Sequence, residues 1–245
     1  MESLRNMSLA RKIKVGLLKK FPIKYWPTSV GDKNEIRIPS NVIQKKESST
    51  RGGANINIIL NLLEKTRDVE GDIAECGVFR GATIVTTGVH AQRHGKKVFG
   101  YDSFEGFDED INVDLELGGP ENEEKKLGGF SQTSYDLVMR KISQFNVEDS
   151  VTLVPGFFKK TLSKSSERVY SFVHLDCDIY ESYKTCLEYF WPRLSDGGII
   201  LFDEYMDPPW PGCKKAVDEF CKVSGAEVQK IQSDNYIKFY VQKKV

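Results

Sequence analysis

Val169–Tyr205, VYSFVHLDCDIYESYKTCLEYFWPRLSDGGIILFDEY, decides the fold of this chain. Tyr170–Leu175 is a short β-rich run that stops at Asp176 and Asp178. From Glu181 to Arg193 the apolar residues Tyr183, Leu187, Phe190 and Trp191 recur three or four apart, which predicts a helix. Ser195-Asp196-Gly197-Gly198 predicts a turn. Ile199–Phe202 is a second buried-type strand, and it ends at Asp203-Glu204. A strand–helix–strand unit makes the two strands parallel neighbours, about 4.8 Å apart. Their C-terminal ends then bring Asp176, Asp178, Asp203 and Glu204 to one rim of the sheet. Carboxylates that close repel one another unless a cation sits among them. An all-oxygen set of this kind suits Mg²⁺ or a similar hard ion.

The rest of the chain extends the same α/β pattern. Asp72–Cys76 reads as a strand, Gly77–Gly81 as a glycine-bearing turn, Ala82–His94 as a helix and Lys97–Tyr101 as a strand closed by Asp102. That is the length of a nucleotide-binding half-fold. Downstream come a helix over Tyr135–Phe145, a strand over Val151–Val154 and a short helix over Phe157–Leu162. After a Pro-rich loop at Asp207–Pro211 follow a helix over Cys213–Lys222 and closing strands over Glu227–Ile231 and Tyr236–Val241. Upstream, Asn55–Lys65 is a helix with Ile56, Ile59, Leu60 and Leu63 on one face.

Two segments break the rhythm. Residues 1–52 form a basic arm: positions 1–51 hold twelve Lys/Arg and four Asp/Glu, a net of +8, against −8 for the remainder of a chain that is neutral overall. The arm is expected to pack on the domain, residues 53–245, or on a second subunit, with weak contact to an anionic membrane surface as the alternative. Residues 105–129 carry nine acidic residues and the glycine pairs Gly118-Gly119 and Gly128-Gly129. A loop this long is a lid or a solvated insert.

Composition narrows the function further. Zero net charge gives no electrostatic case for nucleic acid. No run approaches the roughly 18 apolar residues of a membrane span, and no signal peptide is expected. The five scattered cysteines include no CxxC pair and fit reduced thiols in a cytoplasm.

Three groups of residues carry chemistry. Gly77 and Gly81 between strand and helix let backbone approach a ligand, and Asp102 ends the next strand where an acid grips ribose hydroxyls. The triple-glycine spacing for a pyrophosphate is missing, so a nucleoside-type cofactor without a diphosphate fits better than NAD. The second group is the carboxylate rim, with Asp176, Asp203 and Glu204 as metal ligands and Asp178 as proton acceptor. Asp203 and Glu204 are adjacent, so both reach one ion only if the chain is already leaving the strand. The third group is weaker. His174 lies next to the rim and reads as a hydrogen-bonded core histidine. His90 and His94 share a helix face without an HExxH pattern and read as surface or packing residues. Phe157, Phe158, Tyr205 and Trp210 could wall a pocket.

Six segments, GDIAECGVFRGAT (71–83), YDSFEGF (101–107), LVPGFFKKTL (153–162), HLDCDIYESY (174–183), DGGIILFDEY (196–205) and PGCKKAVDEF (211–220), together resemble the macrocin O-methyltransferase family. The resemblance implies a seven-stranded Rossmann-like methyltransferase fold. It implies S-adenosylmethionine and Mg²⁺ as cofactors, and methylation of a sugar hydroxyl on a small molecule or glycan. By motif, Glu75, Gly77, Gly81 and Asp102 line the S-adenosylmethionine site, with Ser103 and Gly156 nearby. Asp176, Asp203 and Glu204 take the metal positions, and Asp178 is the base. Cys177 stands where the family usually has glycine, and Glu204 where Asp is common. The resemblance also implies a homo-oligomer built partly by the N-terminal region. The alternative is a metal-dependent glycosyltransferase, because Asp176-Cys177-Asp178 is a DxD triplet; a binding module without catalysis is a third class.

Overall fold

The computed structural model of the chain describes residues 56–107, 112–118, 130–165, 167–233 and 236–244. The basic arm, residues 1–52, and most of the acidic stretch lie outside them.

Seven strands form one sheet: β1 (Asp72–Cys76), β2 (Val98–Asp102), β3 (Val151–Pro155), β4 (Tyr170–Leu175), β5 (Leu194–Phe202), β6 (Val228–Ser233) and β7 (Tyr236–Gln242), in the order β3-β2-β1-β4-β5-β7-β6. The first five are parallel; β7 runs antiparallel to both β5 and β6. The chain leaves β1 toward β2 on one side and later returns to place β4 on the other. The crevice between the C-terminal ends of β1 and β4 is therefore a topological switch point, where open α/β sheets bind ligands.

The helices are α1 (Ile56–Lys65), α2 (Ala82–His94), α3 (Asn112–Glu116), α4 (Tyr135–Gln144), α5 (Phe158–Thr161), α6 (Tyr180–Phe190) and α7 (Pro211–Ser224). Strand alternation sends side chains to two cores. Ile73, Phe172, Ile199 and Leu201 meet the apolar faces of α1, α2 and α4. Ala74, Val173, Leu175, Ile200 and Phe202 meet α6 and α7. Burial on both faces explains why the parallel strands read as apolar runs rather than alternating ones. Each large core side chain, such as the buried Phe172, Phe190 and Phe202, contributes about 1.5–3 kcal/mol through removal from water.

Element boundaries follow local chemistry. Ser134 caps α4 by accepting from the Leu137 N–H at 3.2 Å. α2 stops at Gly95, whose left-handed φ of 67° returns its N–H to the Ala91 carbonyl.

Two expectations are corrected. The expected turn at Ser195–Gly198 lies inside β5, which begins at Leu194. There the β4–β5 pairing jumps from Tyr170↔Leu194 to Phe172↔Ile199. Gly197 and Gly198 instead exchange hydrogen bonds with Lys243, the residue after β7, so they form an irregularity paired to the neighbouring strand's end. Pro211 is not in a loop but opens α7, a position where its missing N–H costs nothing.

All five cysteines are free thiols, four of them buried. Among the described residues no helix is long and apolar enough to cross a membrane.

Candidate active site

Strand register builds the site. Leu175 pairs with Phe202 and Cys76 with Leu175, so the residues that follow, Gly77, Asp176 and Asp203, stand side by side. Backbone bonds carry the ladder one step past the strands: Gly77 N–H to the Tyr101 carbonyl, Asp176 N–H to Cys76 and Asp203 N–H to Leu175, each at 2.9 Å. The chain is leaving β5 at Asp203 and Glu204, the condition under which both can reach one place.

Carboxylate oxygens of Asp176 and Asp203 and a ring nitrogen of His174 all lie within 4.8 Å of one another. His174 Nε2 is 3.6 Å from Asp203 Oδ1. Glu204 is not among those three. It is 3 % exposed, and the Tyr183 hydroxyl donates to its Oε2 at 2.6 Å. It nevertheless stays close enough for Asp203 and Asp176 to act on its charge. The crowding moves the acids apart in strength. Burial, then Asp203, raises Asp176 to about 6. Burial, then Asp203 and Asp176, raises Glu204. Burial works to raise Asp203 too, but Lys238 and His174 outweigh it and hold this carboxyl below its ordinary value.

Lys238 supplies one positive charge to the crowded acids, on the Asp203 side. It reaches in from β7, with Nζ 2.9 Å from Asp203 Oδ1 and 2.5 Å from the Asp203 carbonyl. The sequence reading missed it, because only the antiparallel return of β7 brings it alongside. Tyr183 belongs to the apolar helix face and its ring is buried there, but its hydroxyl ends among the acids.

Asp178 lies three residues past β4 at φ 61°. The Ile179 N–H donates to the Cys177 carbonyl at 2.7 Å across it, closing a three-residue turn of the rare, strained positive-φ kind. Asp tolerates this region better than most residues, and such strain clusters at functional sites. Cys177 itself is buried beside Cys186.

On the β1 side, Glu75 is 1 % exposed and its Oε2 has no hydrogen-bond partner. Burial, then Asp176, Asp102 and Asp203, raises it well above the usual carboxylate range. Gly77 has φ 90°, and a Cβ there would stand 1.7 Å from the Asp176 carbonyl oxygen. Its glycine is thus required by the approach of the β4 loop. A Cβ at Gly81 would meet Val138 of α4 at 2.8 Å, so Gly81 serves helix packing.

The Asp102 carboxylate accepts from Val78 N–H and Phe79 N–H at 2.7 Å each through Oδ2, and from Phe104 N–H at 2.7 Å through Oδ1. It holds the β1–α2 turn; the one lone-pair site left over, on Oδ1, is open to a further donor such as a hydroxyl. Ser103 Oγ donates to the Gly106 carbonyl and accepts from Glu105 N–H, closing its own loop. Gly156 donates to the Asp102 carbonyl.

Of the expected wall aromatics, Trp210 gathers Phe107 and Phe130 at ring-centroid distances of 6.1 and 6.0 Å. Tyr205 turns away to donate to Asp218 of α7. His90, expected at the surface or in packing, is 1 % exposed.

A seven-stranded sheet with one reversed strand and acids gathered at its switch point defines a class I methyltransferase fold. The chain belongs to the macrocin-O-methyltransferase (TylF) family, whose model matches residues 51–242. It is 31 % identical over 156 residues to 8-demethyl-8-(2,3-dimethoxy-alpha-L-rhamnosyl)-tetracenomycin-C 4'-O-methyltransferase of Streptomyces olivaceus, covering 62 % of this chain and 58 % of that protein. It is 31 % identical over 175 residues to mycinamicin III 3''-O-methyltransferase of Micromonospora griseorubida, covering 68 % and 66 %. The matched region spans less than two thirds of these relatives. Among solved structures, the O-methyltransferase NovP superposes with a TM-score of 0.66 at 26 % identity, over 79 % of this chain and 81 % of that one. The calicheamicin methyltransferase CalS11, at 20 % identity, shares the fold with a TM-score of 0.65, over 97 % and 94 %. Family membership stands against the nucleotide-sugar transferase alternative.

Proposed function

We propose that this chain transfers the methyl group of S-adenosylmethionine to a hydroxyl of a sugar carried by a small molecule or glycan. The meeting of Asp176 and Asp203 beside Gly77 and Glu75, at the switch point of the sheet, is the observation that carries the reading. The relatives' names, each an O-methyltransferase acting on a glycosylated natural product, support the substrate class.

The residues present fit both implied groups. Glu75 Oε2 is a buried carboxylate oxygen without a partner, and the donor molecule brings a sulfonium and an ammonium that would answer it. Asp176 and Asp203 offer hard oxygen donors close enough for one ion, and the raised Asp176 marks a site short of positive charge. Asp176 and Asp203 would hold Mg²⁺, with Glu204 as the third ligand once its bond to Tyr183 exchanges. A divalent ion there supplies Lewis acidity that lowers the pKa of a hydroxyl brought to it.

The remaining work falls on the chain. A sulfonium donor needs no acid, so the barrier lies with a protonated acceptor oxygen. Asp178 takes that proton, a contribution of roughly 10²–10⁴-fold. Its strained turn fixes the carboxylate relative to Asp176, two residues earlier. Lys238 keeps Asp203 ionised. The Trp210–Phe107–Phe130 group gives a sugar an apolar face to lie on. The N-terminal arm belongs to a homo-oligomer in the same reading.

The test is incubation of the full chain with S-adenosylmethionine and a panel of nucleotide sugars, glycosides and sugar-free phenols and catechols, followed by mass spectrometry. The reading expects a gain of one methylene on a sugar-bearing acceptor. Turnover confined to acceptors without a sugar overturns the substrate class.

A further inference from the structure

The C-terminal ends of α1 and α2 meet away from the site described above. His94 lies thirteen residues beyond Gly81, a distance of about 20 Å along a helix, so this meeting point is near the opposite edge of the sheet. There Glu64, in the last turn of α1, faces His90 and His94, one turn apart on α2. Glu64 Oε1 is held by Arg67 at 2.6 Å. Glu64 Oε2 turns the other way, 3.8 Å from His94 Nε2 and 4.0 Å from His90 Nδ1. The two imidazole rings lie 4.4 Å apart, centroid to centroid. All three donor atoms fall within 4.8 Å of one another.

Neither Glu64–imidazole distance is a hydrogen bond, which needs about 2.7–3.2 Å. Something wider than a proton fits between them. A Zn²⁺ ion with bonds of about 2.0–2.2 Å spreads tetrahedral donors about 3.4 Å apart, so the two Glu64–imidazole distances need to close by roughly half an ångström. His94 and Glu64 have the room, with side chains 28 % and 40 % exposed. His90 is fixed, 1 % exposed in the packing.

We propose that Glu64, His90 and His94 form a second cation site, for a borderline transition ion such as Zn²⁺ or Co²⁺. Two nitrogen donors and one carboxylate select such an ion over Mg²⁺, which the carboxylates Asp176 and Asp203 suit better. The open side at His94 leaves a position for water. Occupancy ties α1, the first described helix, to α2. Lys96 is committed to the carbonyls of Val69 and Gly71 and does not enter the site.

The test titrates the full chain, stripped of metal, with Co²⁺ alone and follows visible absorption, alongside Asp176→Asn, His94→Ala and Glu64→Gln. Both altered positions of the new site are partly exposed, so these variants are expected to fold. The strong visible band of tetrahedral Co²⁺ should appear alike in wild type and Asp176→Asn, the latter losing only the weakly absorbing ion at the carboxylate rim, while His94→Ala and Glu64→Gln bind the strongly absorbing ion roughly tenfold more weakly or worse. Zn²⁺ should raise the melting temperature of Asp176→Asn as long as Glu64, His90 and His94 are intact, and the double variant Asp176→Asn/His94→Ala should lose that rise. Unchanged titration in His94→Ala and Glu64→Gln, or loss of the signal in Asp176→Asn alone, overturns the proposal.

Discussion

Glu75 combines complete burial, a partnerless oxygen and three acidic neighbours. Its carboxyl is raised by burial first, so the folded protein holds its proton to higher pH than the unfolded chain does. Stability therefore falls as pH rises from the ordinary carboxylate value, about 4.3, toward the raised one. Glu75→Gln removes that fall. Melting curves should coincide for the two proteins at low pH and separate above it, with the variant more stable, while calorimetry shows its S-adenosylmethionine binding weakened. Asp178→Asn should keep donor binding and lose roughly 10²–10⁴-fold in turnover; unaltered kcat would remove Asp178 from the mechanism. Asp176, Asp178 and Asp203 were legible because each closes an apolar run. Lys238 was not: it lies 35 residues from Asp203 in a strand whose pairing partner the local pattern leaves open. The glycines were legible as glycines, yet Gly77 and Gly81 answer to a neighbouring loop and a neighbouring helix, contacts that spacing alone does not encode.

Between elements, the contact that matters most is Asp114 in α3, inside the acidic stretch. Its carboxylate is fully buried and accepts from Tyr180 N–H at 3.1 Å and Gly212 N–H at 2.9 Å. Those donors open α6 and α7, the two helices that follow the carboxylate-bearing strand ends. One aspartate thus caps both, where negative charge is favoured by the helix dipoles. Asp114→Ala removes two caps worth about 1 kcal/mol each, and the melting temperature should drop by roughly 4–8 °C. Asp114→Asn, which keeps one acceptor oxygen, should recover about half of that loss. A Cβ at Gly212 would stand 2.0 Å from Asp114 Oδ1, so Gly212→Ala should reproduce the Asp114→Ala effect. The lid-or-insert question gains a physical term here: Asp114 docks this stretch onto α6 and α7, while residues 116–118 are exposed. The helices and strands themselves were readable from periodicity. The β5 irregularity was not, because Gly197-Gly198 signals a turn unless one knows that Lys243 will pair with it.

At the scale of the molecule, sheet order converts separate motifs into one place. Residues 77, 102, 176 and 203 are spread over more than half the chain, and the order β2-β1-β4-β5 puts them on one rim. Parallel order was readable from the βαβ lengths; that β7 would insert beside β5 and deliver an ammonium to the acids was not. The central claim is that Asp176 and Asp203 hold a divalent ion needed for methyl transfer from S-adenosylmethionine to a sugar hydroxyl. Once an acceptor is in hand, its most direct test is the initial rate of methyl transfer after exhaustive chelation and during readdition of Mg²⁺. The account predicts a rate that vanishes with chelation, returns saturably with Mg²⁺ and fails to return in Asp176→Asn. A chelated enzyme that methylates at the full rate would contradict it.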